Sequence, residues 1–212
     1  MLVFFVHGVA TSDDTYADKL KKNLRDEFSK RKKLTPYFYA SSWGGLLSKA
    51  SQLWNFVQQD VYEFQDKYNV NATDIFQYEE YRQFFISEFV GDLFTYLNSK
   101  WGCEIRKAIA LQLREFLERY PEEDELHIIA HSLGGIILWD ILFSDRFTED
   151  DPVYEIRSLI KEFNVFPSER QASLKSVTTM GSPILLFNLM LDVKADVIKL
   201  FVRAYTESLF LG

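Results

Sequence analysis

The sequence predicts an α/β fold: a mostly parallel sheet with helices on both faces, carrying a helical insertion. Three observations predict it. Short apolar runs alternate with helical periodicities along the chain. The first run, residues 2–6, is apolar at every position, as a strand buried on both faces must be. Three of the runs end in small, turn-prone residues, His7-Gly8, His131-Ser132 and Gly181-Ser182-Pro183, which a parallel sheet gathers on one rim.

The elements follow in order. Residues 2–6 are strand one, closed by Gly8, and a polar loop runs from Thr11 to Asp14. Tyr16, Leu20, Leu24 and Phe28 then recur every four residues, the stripe of an amphipathic helix whose other face carries Lys19, Lys21, Lys22 and Arg25. Pro36 to Ser41 is aromatic and β-prone and reads as strand two. Helical spacing recurs over 46–68 and 75–97, rich in Trp54, Phe56, Phe64, Phe76, Phe84, Phe85, Phe89 and Phe94. A parallel crossover needs one helix, so residues 44–100 are expected to form an insertion or cap. Ile105, Ile109, Leu113, Phe116 and Leu117 share a face of a helix over 103–120, which Pro121 stops. Leu126 to Ala130 is strand three, a helix follows from Leu133 to Phe143, and Leu174 to Met180 is strand four. A short helical piece is expected near 153–163, and the apolar tail 184–212 is left unassigned.

Composition narrows the function. The chain has 212 residues, 47% of them apolar, enough for the core of one domain spanning 1–212. A net charge of −7 lacks the basic stripe that nucleic acid requires. One cysteine, Cys103, excludes an internal disulfide and a cysteine metal cluster. HExxH and the glycine-lysine pattern of a phosphate loop are absent, so neither metal nor cofactor is expected. No apolar run approaches the roughly 18 residues of a membrane span, and the expected compartment is the cytoplasm.

The sharpest chemical signal is Ala130-His131-Ser132-Leu133-Gly134, between an apolar strand and a helix. A serine on such a turn is lifted clear of the sheet, where its Oγ can reach a carbonyl carbon. The tight turn demands small residues two before and two after it, and Ala130 and Gly134 comply. The helix behind aims its N-terminal N–H groups at a developing oxyanion. The other reading of the same residues is a serine that merely caps an ordinary helix. At the end of strand one, Val6-His7-Gly8-Val9 has the form of a loop that supplies an oxyanion donor; the expected donors are the Val9 and Leu133 amides. His7 is expected to shape that loop.

FVHG (5–8), AHSLGG (130–135) and TMGSP (179–183), in that order and on three strand ends, resemble the lipase/esterase-like branch of the α/β-hydrolase superfamily. Gly91-Asp92 with Tyr96-Leu97 also looks like a feature of some bacterial members. The resemblance covers residues 2–10 and 88–183 and implies Ser132 as nucleophile, with Val9 and Leu133 as the oxyanion hole. It makes His7, Gly8, His131, Gly134, Gly181 and Ser182 the walls and turns of the site. The substrate it implies is a small-molecule or lipid ester, and an aromatic insertion over the rim would serve as a lid or as a homo-oligomer contact.

The site lacks a base and an acid. The three histidines are His7, His127 and His131, and none follows Ser132, although the family order is serine, acid, histidine. After Gly181 the carboxylates are Asp192, Asp196 and Glu207, all in surface-like contexts. Three accounts follow: a chain that is the N-terminal part of a longer hydrolase, incomplete at its C-terminal edge; a non-catalytic hydrolase-like binding or interaction module; or a site completed by another chain.

Overall fold

The computed structural model describes residues 1–8, 15–43, 93–163, 167–182 and 184. Their order is β1 (Leu2–Val6), a 3-10 turn (Thr15–Ala17), α1 (Asp18–Lys30), β2 (Tyr37–Ala40), α2 (Ser99–Arg119), β3 (Glu125–His131), α3 (Leu133–Phe143), α4 (Pro152–Ser158), a second 3-10 turn (Lys161–Phe163) and β4 (Ser173–Met180). Residues 44–92 of the insertion expected over 44–100, the loop residue Val9 and the tail with Asp192, Asp196 and Glu207 lie outside the described residues.

The four strands form one parallel sheet in the order β2-β1-β3-β4. Each strand's exposure follows its place. All five residues of the inner strand β1 are buried. In β3 the buried positions alternate, Leu126, Ile128 and Ala130, and in the edge strand β4 Val177 alone is buried. Helices cover both faces. Tyr16, Ala17, Leu20 and Leu24 pack with Val3, Phe5, Phe38 and Ala40 on one face. On the other, α2, α3 and α4 bury Leu2, Phe4, Val6, Leu126, Ile128 and Ala130 in the main core.

The strand order has a consequence for the site. From β1 the chain crosses to β2 on one side and then returns past β1 to β3 on the other. Right-handed crossovers put the two sets of helices on opposite faces when the direction reverses. Between β1 and β3 the connections therefore leave in opposite directions and open a crevice at the carboxyl ends of the strands.

Helix α2 begins at Ser99, four residues before the expected start. Asn98 caps it, its side chain accepting from the N–H groups of Lys100 and Trp101. Gly102 lies within the helix and admits a close approach: a Cβ there would lie 2.0 Å from the Tyr96 carbonyl oxygen. Residues 93–97 are helical, and Leu93 and Tyr96 are buried in the main core. At the far end of α2, Arg170 donates to the carbonyls of Leu117 at 3.2 Å and Tyr120 at 3.0 Å, and to that of Glu123 in the turn that follows.

Helix α3 is buried from Leu133 through Leu142, so its one charged residue, Asp140, needs partners. Asp140 accepts from the Tyr96 hydroxyl at 2.5 Å and from Arg146 Nε and Nη2 at 2.9 and 2.6 Å. The Phe147 ring lies against two guanidinium groups, Arg146 at 4.4 Å and Arg106 at 4.5 Å, and Arg106 in turn pairs with Asp151, the cap of α4. This network ties 93–97, α2, α3 and α4 together.

Candidate functional site

Ser132 stands where β3 changes into α3. Its N–H still donates to the Met180 carbonyl at 2.9 Å, extending the β3–β4 ladder, while its own carbonyl accepts from Gly135 N–H at 3.0 Å and opens the helix. Those two bonds force the reversal onto one residue. Ser132 takes φ 52°, ψ −124°, a conformation that costs an L-residue on the order of 1–3 kcal/mol. No side-chain bond caps the helix through Ser132, so the hydroxyl does not do the work of an ordinary N-cap.

Two glycines let the turn close. A Cβ on Gly8 would lie 2.7 Å from Ser132 Cβ and 3.3 Å from its Oγ, so Gly8, two residues past β1, lies directly against the serine. A Cβ on Gly134 would lie 2.2 Å from the His7 carbonyl oxygen and 2.6 Å from that of Val6, where the start of α3 crosses the end of β1. Ala130, fully buried and opposite Val6, leaves room beneath the turn. The small residues expected around Ser132 thus meet β1, and Gly8, read in sequence as a wall, is a third steric requirement. Leu133 is the first helical residue, and its N–H belongs to the helix end that has no intrahelical acceptor.

The histidines have separate environments. His7 is buried and doubly bonded: Nδ1–H donates to the Gly8 carbonyl at 2.6 Å, and Nε2 accepts from Trp43 N–H at 3.2 Å. Its ring stacks on Trp43 at 4.2 Å and meets the edge of Tyr16 at 5.2 Å. Burial lowers its pKa to about 4, against a weaker upward pull from the Gly8 bond, so the imidazole is neutral at pH 7. His127, lower in β3, is hydrogen-bonded through Nδ1 to Ser176 Oγ at 2.8 Å, and burial lowers its pKa too. His131 is exposed at the strand end, across from Met180 and beside Gly181.

Gly181 turns the chain after β4 with φ 56°. Ser182 then packs onto α3, so that a Cβ on Gly135 would lie 2.4 Å from Ser182 Oγ, and that hydroxyl is buried with no hydrogen-bond partner among the described residues. Next to the turn a cleft of about 500 Å³ opens between the sheet rim and α1. Phe5, Tyr16, Leu20, Ile129 and Met180 give it apolar walls, Gly8 and His131 connect it to Ser132, and Lys19 lines it from α1.

Sequence reasoning missed Trp43, Tyr96 with Asp140, and the steric role of Gly8. A lone aspartate in the otherwise apolar segment 133–143 was the available signal for the second of these. Among the described residues no cluster of three or more histidine, cysteine, aspartate or glutamate side chains could hold a metal ion, and no helix is long and apolar enough to cross a membrane. Comparison of the chain with family models, with curated proteins and with solved structures gives no match.

Proposed function

We propose that the chain is a serine ester hydrolase of the α/β-hydrolase, lipase/esterase-like type, forming an acyl-enzyme on Ser132. The observation that carries this reading is the Ser132 backbone: a non-glycine residue held at φ 52° between β3 and α3, beside the point where the strand order reverses. Strain of that kind persists where the surroundings over-determine it, and a nucleophile elbow is such a setting. Ser132 Oγ attacks the ester carbonyl carbon as its proton passes to a base. The carbonyl oxygen becomes an oxyanion facing the Leu133 amide, with Val9 as the second donor. Expulsion of the protonated alcohol leaves the acyl group on Ser132, and water then releases the acid. The apolar cleft reached through Gly8 and His131 suits the acyl part of an ester.

The base is neither His7, whose two ring nitrogens are committed to Gly8 and Trp43, nor His127, which lies lower in β3 with its Nδ1 bonded to Ser176. On this reading the acid and base come from residues outside 1–212. The same histidine geometry favours a second reading, a hydrolase-like module that binds without turnover. A fluorophosphonate probe distinguishes them. Labelling that disappears in Ser132→Ala supports the nucleophile; equal labelling of wild type and variant, or none after prolonged exposure, removes it.

A further inference from the structure

Among the described residues β2 is an edge of the sheet, and it carries a second surface, independent of Ser132. In β2 the main chain of alternate residues points to β1: Tyr37 N–H donates to the Met1 carbonyl at 3.1 Å and Ser41 N–H to that of Phe5 at 3.0 Å. Parallel pairing alternates, so the N–H and carbonyl groups of Phe38, Ala40 and Ser42 point away from the sheet. At Ser42 the outward pair is taken. Gln112 of α2 accepts from Ser42 N–H at 2.9 Å and donates to its carbonyl at 2.7 Å, the two bonds that a neighbouring strand would make. At Phe38 and Ala40 no partner stands among the described residues, and both line a cleft of about 500 Å³ along the edge.

The walls of this cleft are basic on both sides. Lys21 reaches it from α1 and Arg119 from α2, helices that cover opposite faces of the sheet, and no carboxylate lines it among the described residues. Lys21 also holds Asp18 at 3.3 Å, whereas Arg119 has no ion pair among the described residues. A strand laid on β2 would send successive side chains to opposite faces, one toward Lys21 and the next toward Arg119. Two such strands from two copies would bring these cations together, which disfavours self-pairing.

We propose that the β2 edge is a docking site for an extended peptide segment of a partner protein, added as a fifth strand and carrying two consecutive acidic residues. Main-chain bonds to Phe38 and Ala40 would hold it, Gln112 would mark its end, and Lys21 with Arg119 would select its charge. Uncovered edges invite wrong pairing, and a charge-selective edge restricts what can pair.

The test uses the full 212-residue chain and an acetylated, amidated threonine-valine hexapeptide with two central glutamates, beside a counterpart with two central lysines. Amide exchange is followed by NMR. The glutamate peptide should slow exchange at Phe38 and Ala40 at least tenfold and leave Tyr39 unchanged. The lysine peptide should not, and Arg119→Glu should weaken the glutamate peptide about tenfold. Ala40→Pro removes an outward N–H, leaves the β1 ladder intact and should abolish protection. No protection by either peptide, or equal protection by both, overturns the proposal. Slow exchange at both amides without peptide also overturns it: if independent of dilution, the chain's own segment covers the edge; if lost on dilution, a second copy does.

Discussion

Gly134→Ala sets two effects of known size against each other. Replacing a helical glycine by alanine ordinarily stabilises, by up to about 1 kcal/mol, because alanine loses less backbone entropy. At Gly134 the added Cβ would lie 2.2 Å from the His7 carbonyl oxygen, one residue past β1, and 2.6 Å from that of Val6, the last residue of β1, an inner strand paired on both sides. Neither oxygen can swing away as a side-chain tip can, so α3 and β1 must part by about 1 Å to restore contact distance. Overpacking of this kind costs about 1–3 kcal/mol and outweighs the propensity gain. The net expectation is a loss of about 1–2 kcal/mol in urea unfolding, with slower fluorophosphonate labelling, because the displaced helix turns the Leu133 amide away from the oxyanion position. Gly135→Ala is the control: its nearest neighbours are the hydroxyl and Cβ of Ser182 at 2.4 and 2.7 Å, atoms of a residue past the end of β4 whose hydroxyl has no hydrogen bond among the described residues, so the neighbour can shift without parting α3 from β1. It should cost less than Gly134→Ala. A Gly134→Ala protein more stable than wild type would refute the close approach of α3 to β1, and with it the steric account of the turn.

Ser132→Gly should abolish labelling yet stabilise the fold by about 1 kcal/mol, since glycine adopts φ 52° without strain; unfolding free energies of the pair decide it, and a destabilised variant contradicts the strain. Tyr96→Phe removes the hydroxyl that donates to the buried Asp140 carboxylate and should cost about 1.5–3 kcal/mol in the same assay; an unchanged midpoint and slope would mean that Arg146 alone satisfies Asp140. His7 should stay neutral in an NMR titration down to about pH 5. Its folded pKa of about 4 lies below the ordinary 6.5, so the unfolded chain takes up the proton first. The associated stability is therefore full above pH 6.5 and falls by about 3 kcal/mol as pH drops toward 4; a His7 ring that titrates near 6.5 excludes the buried, doubly bonded state.

Local pattern was enough for β1, β3 and the helix after Ser132, because each is a run whose composition reports its own burial. Residues 2–6 are apolar throughout and all five are buried; the segment after Ser132 is apolar on every side and lies inside. Pattern also located the small residues around Ser132. It misplaced the start of α2, because Gly102 weakens a helix in isolation and the gain from packing against Tyr96 does not register in a window of neighbours.

What the sequence by itself determined was therefore which of the described segments are strands and helices, apart from the start of α2, and that a serine sits on a strand-to-helix turn. Tertiary structure alone decided the order β2-β1-β3-β4 and with it the reversal point beside Ser132. It also brought Gly8 against Ser132, Tyr96 to Asp140 and Gln112 to Ser42, pairs 124, 44 and 70 residues apart in the chain. The physical reason is that periodicity records how much of a segment must leave water and says nothing of what meets it there. Partners are chosen when whole faces pack, and the steric and hydrogen-bonding demands of that contact exist only once the two faces have met.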